Sequence, residues 1–148
     1  MDEKTFKDRT KKFALAVMRL VETLPRNRTA DVLGRQLLRS GTSVGANYRA
    51  ACRGRSASDV AAKMAIVEEA ANESIYWMEL LVESGTLPAD RASLLTKEGN
   101  ELLAMTAASI KTLRGHSQRA AETKNLPEQT PRDPSRDEPD AIPHSKEG

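Results

Sequence analysis

Aromatic residues are scarce, with two Phe, two Tyr and one Trp among 148 residues. That scarcity starves a β architecture of its usual material, while frequent Ala and Leu favour helix on propensity. Cysteine is scarcer still. The single Cys52 cannot close an intrachain disulfide, and its position beside a helical apolar seam reads as a small buried or half-buried residue. The two histidines, His116 and His144, lie beyond the amphipathic segments, so the Glu-x-x-His ligands of a di-iron bundle are absent. No uncharged run exceeds nine residues, short of the roughly 20 that a membrane span needs, and no apolar signal segment follows the charged start MDEKTFKDRTKK. There is also no phosphate-binding glycine loop and no Ser-His or Cys-His pair. The expectation is a cytoplasmic all-α protein that is not an enzyme, with no cofactor and no metal.

What is present is charge, unevenly placed. The formal net charge is only +2, yet residues 26–55 hold seven arginines against Asp31 alone, a net of +6. Residues 59–83 hold six acids against Lys63, a net of −5. Consecutive segments of opposite sign suit two neighbouring helices, or two copies of the chain, that face each other with complementary surfaces.

The stretch from Arg28 to Arg55 organises the rest. On a helical wheel of about 100° per residue, Arg28, Arg35, Arg39, Arg49 and Arg53 fall within about 40° of one direction, with Arg55 following. Leu33, Leu37, Val44, Tyr48 and Ala51 lie diametrically opposite. Such a helix buries one side and presents a row of guanidinium groups on the other. Gly41 and Gly45, four apart, would let another backbone approach closely. Gln36, Ser40, Ser43 and Asn47 form a polar row along the flank of the seam, read first as an inter-helix hydrogen-bond network and second as a ligand or nucleotide site.

Three further helices frame this one. The first is expected from about Thr5, as N-cap, to Leu24, with Phe6, Phe13, Val17, Leu20, Val21 and Leu24 on one face and Pro25 as its stop. Lys4, Lys7, Arg9, Lys11 and Lys12 crowd its first turns, as a solvated face or as an extension of the basic surface of the second helix. Thr29 is the expected cap of the second helix and Gly54 its C′ residue. Ser56 with Asp59 then opens the third helix, about 57–84, in the manner of a capping box. Its core stripe is Val60, Met64, Val67, Ala71, Ser74, Met78 and Leu81. A second flank, Ile66, Ala70, Tyr76, Trp77 and Leu80, interrupted by Glu69 and Glu73, exceeds what one four-helix monomer can cover and points to self-association. After Gly85 and Pro88 the fourth helix runs to about Gly115, with Leu94, Leu95, Leu102, Met105, Ser109 and Leu113 as its seam and Glu98 inside that face, read first as a half-exposed, snorkelling carboxylate and otherwise as a buried one in need of a partner such as Arg91 or an arginine of another helix. Residues 1–115 are thus read as the bundle. Residues 116–148, with five of the seven prolines and no aromatic residue, are read as a disordered tail.

The run QLLRSGTSVGANYRAACRGRSASDVAAKMAIVEEAANESIYWMELL resembles the four-helix-bundle family that includes proteins encoded in intervening sequences of bacterial 23S (large-subunit) ribosomal RNA genes. The matching positions are Gln36, Leu37, Arg39, Ser40, Ser43, Val44 and Asn47, then Glu69, Glu73, Ser74, Tyr76, Trp77, Glu79 and Leu80, within a similarity over about residues 5–115. The resemblance implies an antiparallel up-down-up-down four-helix bundle, assembling as a ring-like homo-oligomer, commonly a homopentamer. It also implies a relation to the accessory protein of diversity-generating retroelements, whose basic surface binds nucleic acid and a reverse transcriptase. Tyr48-Arg49-Ala50-Ala51 replaces an Ile-Ala-Glu-Gly-like stretch of many relatives.

Two functions of different class follow. In one, Arg28, Arg35, Arg39, Arg49, Arg53 and Arg55 bind RNA or DNA phosphates in an accessory module. In the other, the protein is an oligomeric scaffold whose interface is built from Ile66, Glu69, Glu73, Tyr76, Trp77 and Leu80, with the arginines pairing to a neighbour's acids. A remote third, an all-α nucleotide pyrophosphatase, rests on Glu68, Glu69 and Glu73, but Asn72 stands where a further carboxylate is wanted and no Glu-x-x-Asp partner follows.

Overall fold

The computed structural model describes residues 2–125, which form four α-helices: α1 (Glu3–Glu22), α2 (Arg28–Ala51), α3 (Ala57–Glu83) and α4 (Ala89–Asn125). Among the described residues there is no strand, and no helix is long and apolar enough to cross a membrane. Residues 126–148, most of the expected proline-rich tail, lie outside the described residues.

Each helix packs on the next in sequence and α4 packs back on α1, while α1 with α3 and α2 with α4 stand diagonally, with no Cα atoms within 8 Å of each other. The four helices therefore enclose one core in cyclic order. Its centre is made by Phe6, Phe13 and Val17 of α1, Leu37, Val44 and Tyr48 of α2, Met64, Val67, Met78 and Leu81 of α3, and Leu102 and Ile110 of α4. Phe6 meets Tyr48 edge to face, with centroids 4.5 Å apart, a favoured aromatic geometry. The i, i+3/i+4 spacing of these residues is what turns an Ala- and Leu-rich chain into four core-facing helices.

Glycines of α2 let side chains of α1 approach its backbone closely. A Cβ on Gly41 would stand 2.8 Å from both methyl groups of Val17, and one on Gly45 would stand 3.2 Å from the Thr10 hydroxyl. Along α1 from Thr10 through Val17 to Val21, the glycines met on α2 are Gly45, Gly41 and Gly34.

Helix ends differ from the sequence reading where several capping residues compete. Asp2, not Thr5, caps α1, its carboxylate accepting from the Thr5 amide and, at 2.6 Å, the Thr5 hydroxyl. Asn27, not Thr29, caps α2: its backbone is extended and its side-chain oxygen accepts from Ala30 N at 2.9 Å. Because α2 ends at Ala51, Arg53 and Arg55 sit in the α2–α3 link rather than on the helix. Gly54 there keeps a negative φ, and the left-handed C′ glycine is Gly85 after α3, with φ 75°, where Thr86 N and Leu87 N both donate to Leu81 O. Ser56 does cap α3, accepting from Asp59 N at 3.1 Å, while Asp59 reaches back to Arg55 N at 3.0 Å. Finally, α4 runs ten residues past Gly115, to Asn125, since an isolated glycine weakens a helix without stopping it.

Candidate functional site

Two surfaces hold the residues singled out by the sequence. On the first, Arg28, Arg35, Arg39 and Arg49 are all exposed along α2, with Arg53 and Arg55 exposed just beyond it. Among the described residues none of the six guanidinium groups lies within 4.0 Å of a carboxylate. Arg35 spends one donor on the carbonyl of Asp31, at 3.3 Å. The wheel explains the outward aim. With Arg35 at zero, Gly34, Gly41 and Gly45 lie near −100° against α1, and Ser40 and Asn47 near +130° towards α3, so a stripe at zero points away from both. Arg39 leans about 40° towards α3 and Arg49 about 40° towards α1.

Those two leanings place the arginines in different surroundings. Arg49 lines a groove of about 520 Å³ with Lys4, Thr5, Lys7, Asp8 and Lys11 of α1, which joins the first-turn lysines to the arginine stripe. Lys7 is tied to Glu3 at 2.9 Å and Asp8 to Lys12 at 3.0 Å, leaving Lys4, Lys11 and Arg49 as its uncommitted cations. Arg39 lines a different groove, about 480 Å³ between α2 and α3, with Gln36, Ser40, Ser43, Asn47, Ile66, Glu69, Glu73 and Trp77.

The α2–α3 groove is the second surface. It gathers both halves of the sequence signature. The polar row along α2 is not an inter-helix network: only Ser40 reaches across, its Oγ 3.0 Å from Ser74 Oγ, while Ser43 and Asn47 donate back to carbonyls of their own helix, Arg39 O and Ser43 O. Of the six expected interface residues, Ile66 and Tyr76 are 48% and 52% exposed, Glu69 and Glu73 are exposed, and Trp77 and Leu80 are half-buried. Trp77 packs partly against the core, and its indole N–H is buried without an acceptor. Tyr76 stacks at a tilt on Trp77, with centroids 5.2 Å apart.

On α4 the sequence reading needs a correction. Leu94, expected in the core seam, is 81% exposed; the buried line is Ala92, Leu95, Gly99, Leu102, Thr106 and Ile110. The heptad-like placement of Leu94 beside Leu95 left two faces eligible, and Gly99, which a Cβ would bring to 3.2 Å from Ile75, marks the one that packs. Glu98 does find a partner, on α1: Arg9 grips it through two bonds of 2.9 Å and reaches Glu101 at 2.9 Å. This pairing of residues 89 apart in sequence holds α1 to α4.

Sequence reasoning also passed over the end of α4. A cleft lined by Glu3, Tyr48, Cys52, Val60, Met64, Met105 and Leu113 brings the start of α1, the end of α2, the start of α3 and this part of α4 to one end of the bundle. Burial pushes both the Cys52 thiol and the Tyr48 hydroxyl up in pKa, so both stay neutral there. Lys111, Arg114, Arg119 and Lys124 are exposed on the helix that leaves this end, and their spacing at three to five residues was the available signal. Among the described residues no three His, Cys, Asp or Glu side chains converge as a metal site.

The comparisons agree with one another. A family model described as 23S rRNA-intervening sequence protein matches residues 3–108. Among solved structures, the chain is similar to a protein of unknown function from the S23 ribosomal protein family of Bacteroides thetaiotaomicron, with 32% identity and a TM-score of 0.67, over 72% of this chain and 98% of that one. No curated protein matches the chain. With the family model spanning all but the last turns of the four helices, this chain belongs to the family of 23S rRNA-intervening sequence proteins.

Proposed function

We propose that this protein is a non-enzymatic, self-associating accessory module that binds nucleic-acid phosphates along the outer face of α2. The carrying observation is the stripe itself. Arg28, Arg35, Arg39 and Arg49 are exposed and without carboxylate partners among the described residues, and at Arg49 the stripe continues into the Lys4–Lys7–Lys11 groove. From Arg28 to Arg49 the helix rises roughly 30 Å, about a turn of a duplex, so several phosphates of one strand fall within reach. Binding is expected to be weakly sequence-specific, because no aromatic side chain stands among the arginines to stack an unpaired base.

The bundle follows an up-down-up-down course in this reading, supported by the reversed order in which α1 meets the glycines of α2. Self-association is supported by Ile66 and Tyr76 of α3, which leave apolar area in water. A ring, with five copies as its commonest form, and a reverse transcriptase as protein partner are suggested by the family resemblance.

Fluorescence anisotropy with a labelled RNA or DNA duplex at low salt tests the binding. The wild type should bind, and Arg28→Glu with Arg35→Glu and Arg49→Glu should not, at unchanged oligomeric mass. No binding by the wild type, or undiminished binding by the triple variant, overturns the proposal. One observation favours a pure scaffold instead: Arg39 lines the same groove as Glu69 and Glu73. On that reading Arg35→Glu with Arg39→Glu would dissociate the oligomer, since carboxylates would meet an acidic helix.

A further inference from the structure

The face opposite the α2–α3 groove is formed by α1 and α4. There α1 and α4 form the most sparsely packed of the four helix pairs and leave a groove of about 630 Å³ with an apolar floor of Phe13, Ala16, Leu20 and Leu95. Leu94 stands almost wholly in water at its edge. Its rim is basic: Arg9, Lys12, Arg19 and Arg91 against Glu98 alone. Arg9 is committed to Glu98 and Glu101, and Lys12 to Asp8, which leaves Arg19 and Arg91 as cations without a partner among the described residues.

We infer that this groove receives the outer flank of α3 from a second copy of the chain. The inference rests on the self-association proposed above and names the surface that α3 docks against. Three matches carry it. The flank is apolar and acidic, Ile66, Tyr76 and Leu80 with Glu69 and Glu73, and α3 has no arginine and only Lys63 near its start, so its carboxylates meet Arg19 and Arg91. The lengths agree: Ile66 to Leu80 spans about 21 Å of helix, as does the α1 wall from Arg9 to Thr23. The two faces also lie on opposite sides of the bundle, because α1 neighbours α2 and α4, α3 neighbours α2 and α4, and α1 and α3 stand diagonally.

A donor face and a different acceptor face on one chain make a heterologous contact, which propagates head to tail and closes into a ring when the rotation permits. Each copy offers one of each, so every interface is the same and no copy need be special. Arg28, Arg35 and Arg49 of the outward stripe are left beside the contact, with only Arg39, which shares the α2–α3 groove with Ile66, Glu69 and Glu73, at its edge, which keeps phosphate binding by the other three compatible with assembly.

The test uses two chains that each spoil one face. Leu94→Glu ruins the acceptor and keeps the donor; Ile66→Glu ruins the donor and keeps the acceptor. Both residues are largely exposed, so both variants should fold, with wild-type helical circular dichroism as the check. In light scattering each variant alone should run at the monomer mass, about 16.2 kDa. An equimolar mixture should give a one-to-one dimer and nothing larger, because the single intact donor and acceptor find each other and the remaining faces are dead. A mixture that stays monomeric, or a Leu94→Glu chain that keeps the wild-type oligomeric mass, overturns the inference. A monomeric wild type would overturn the self-association reading itself. A second pair removes dependence on the apolar residues: Arg19→Glu with Arg91→Glu, mixed with Glu69→Arg with Glu73→Arg, should assemble beyond the mass of either chain alone, and failure to do so while both are folded counts against it equally.

Discussion

Replacing Gly41 by alanine should destabilise the bundle, although alanine is the better helix former. In a helix interior Gly→Ala gains roughly 0.8–1 kcal/mol. Here the added methyl would stand 2.8 Å from both γ-methyls of Val17 and 3.1 Å from its Cβ. Val17 is fully buried and stiff about χ1, so relief requires α1 and α2 to move apart along their tightest contact. Overpacking of that kind costs about 1–3 kcal/mol. The net expectation is a loss of about 1 kcal/mol, read as a lower urea midpoint at unchanged m-value and a Tm lower by a few degrees. Val17→Ala in the same chain should recover part of the loss, so that the two changes together cost less than their sum. Gly115→Ala serves as the control, because nothing lies within 4 Å of its Cβ position and no loss should follow. A Gly41→Ala chain more stable than wild type, or additivity with Val17→Ala, would refute the close-packing account of α1 against α2.

The remaining predictions concern the ends of the chain and pH. Hydrogen bonds from Thr5 hold the Asp2 carboxyl below its usual range, the Arg55 amide and Lys63 do the same for Asp59, and Lys7 does so for Glu3. Folded values below the unfolded ones mean that this stability is fully present above about pH 5 and is lost as pH falls through the folded values; urea midpoints measured between pH 6 and 3 should decline less steeply in Asp2→Ala with Asp59→Ala. Truncation after Gly115 removes, among the described residues, none that is buried, so the melting temperature should barely move, and a large drop would show that the removed segment supports the core. The raised Cys52 thiol should react slowly with a disulfide reagent at pH 8 in the folded chain and fast in urea.

How much of this was legible in the sequence depends on distance along the chain. The core positions of α1, α2 and α3 followed from periodicity because each is decided within two turns: Phe6, Phe13 and Val17 have no equally apolar alternative face, and on α3 Glu69 and Glu73 interrupt the second flank and leave Met64, Val67 and Ala71 as the core stripe. On α4 two adjacent leucines, Leu94 and Leu95, left the face open, and only packing against Ile75 and Phe13 at Gly99 selects Leu95. Caps were misplaced by two or three residues where Asp2 competes with Thr5 and Asn27 with Thr29, since the choice depends on backbone conformation rather than on residue type. That an arginine of another helix could hold Glu98 was legible, but that it is Arg9 was not, because nothing local links residues 89 apart. The arginine stripe was legible as a stripe; that Arg39 shares a groove with Glu69 and Glu73 while Arg49 shares one with Lys4 and Lys11 depends on which helices flank α2.

The central claim is that the outer face of α2 neutralises phosphates, and salt dependence measures it most directly. With a duplex of about 20 base pairs, the logarithm of the binding constant should fall linearly with the logarithm of salt concentration, at roughly −0.9 per phosphate contacted. Contacts from Arg28, Arg35, Arg39 and Arg49 then give a slope of about −3 to −4. Replacing Arg28, Arg35 and Arg49 by alanine should flatten the slope by about 2 to 3 while leaving the oligomeric mass unchanged. A slope that stays the same in the variant, or a wild type whose affinity does not change with salt, would contradict the account.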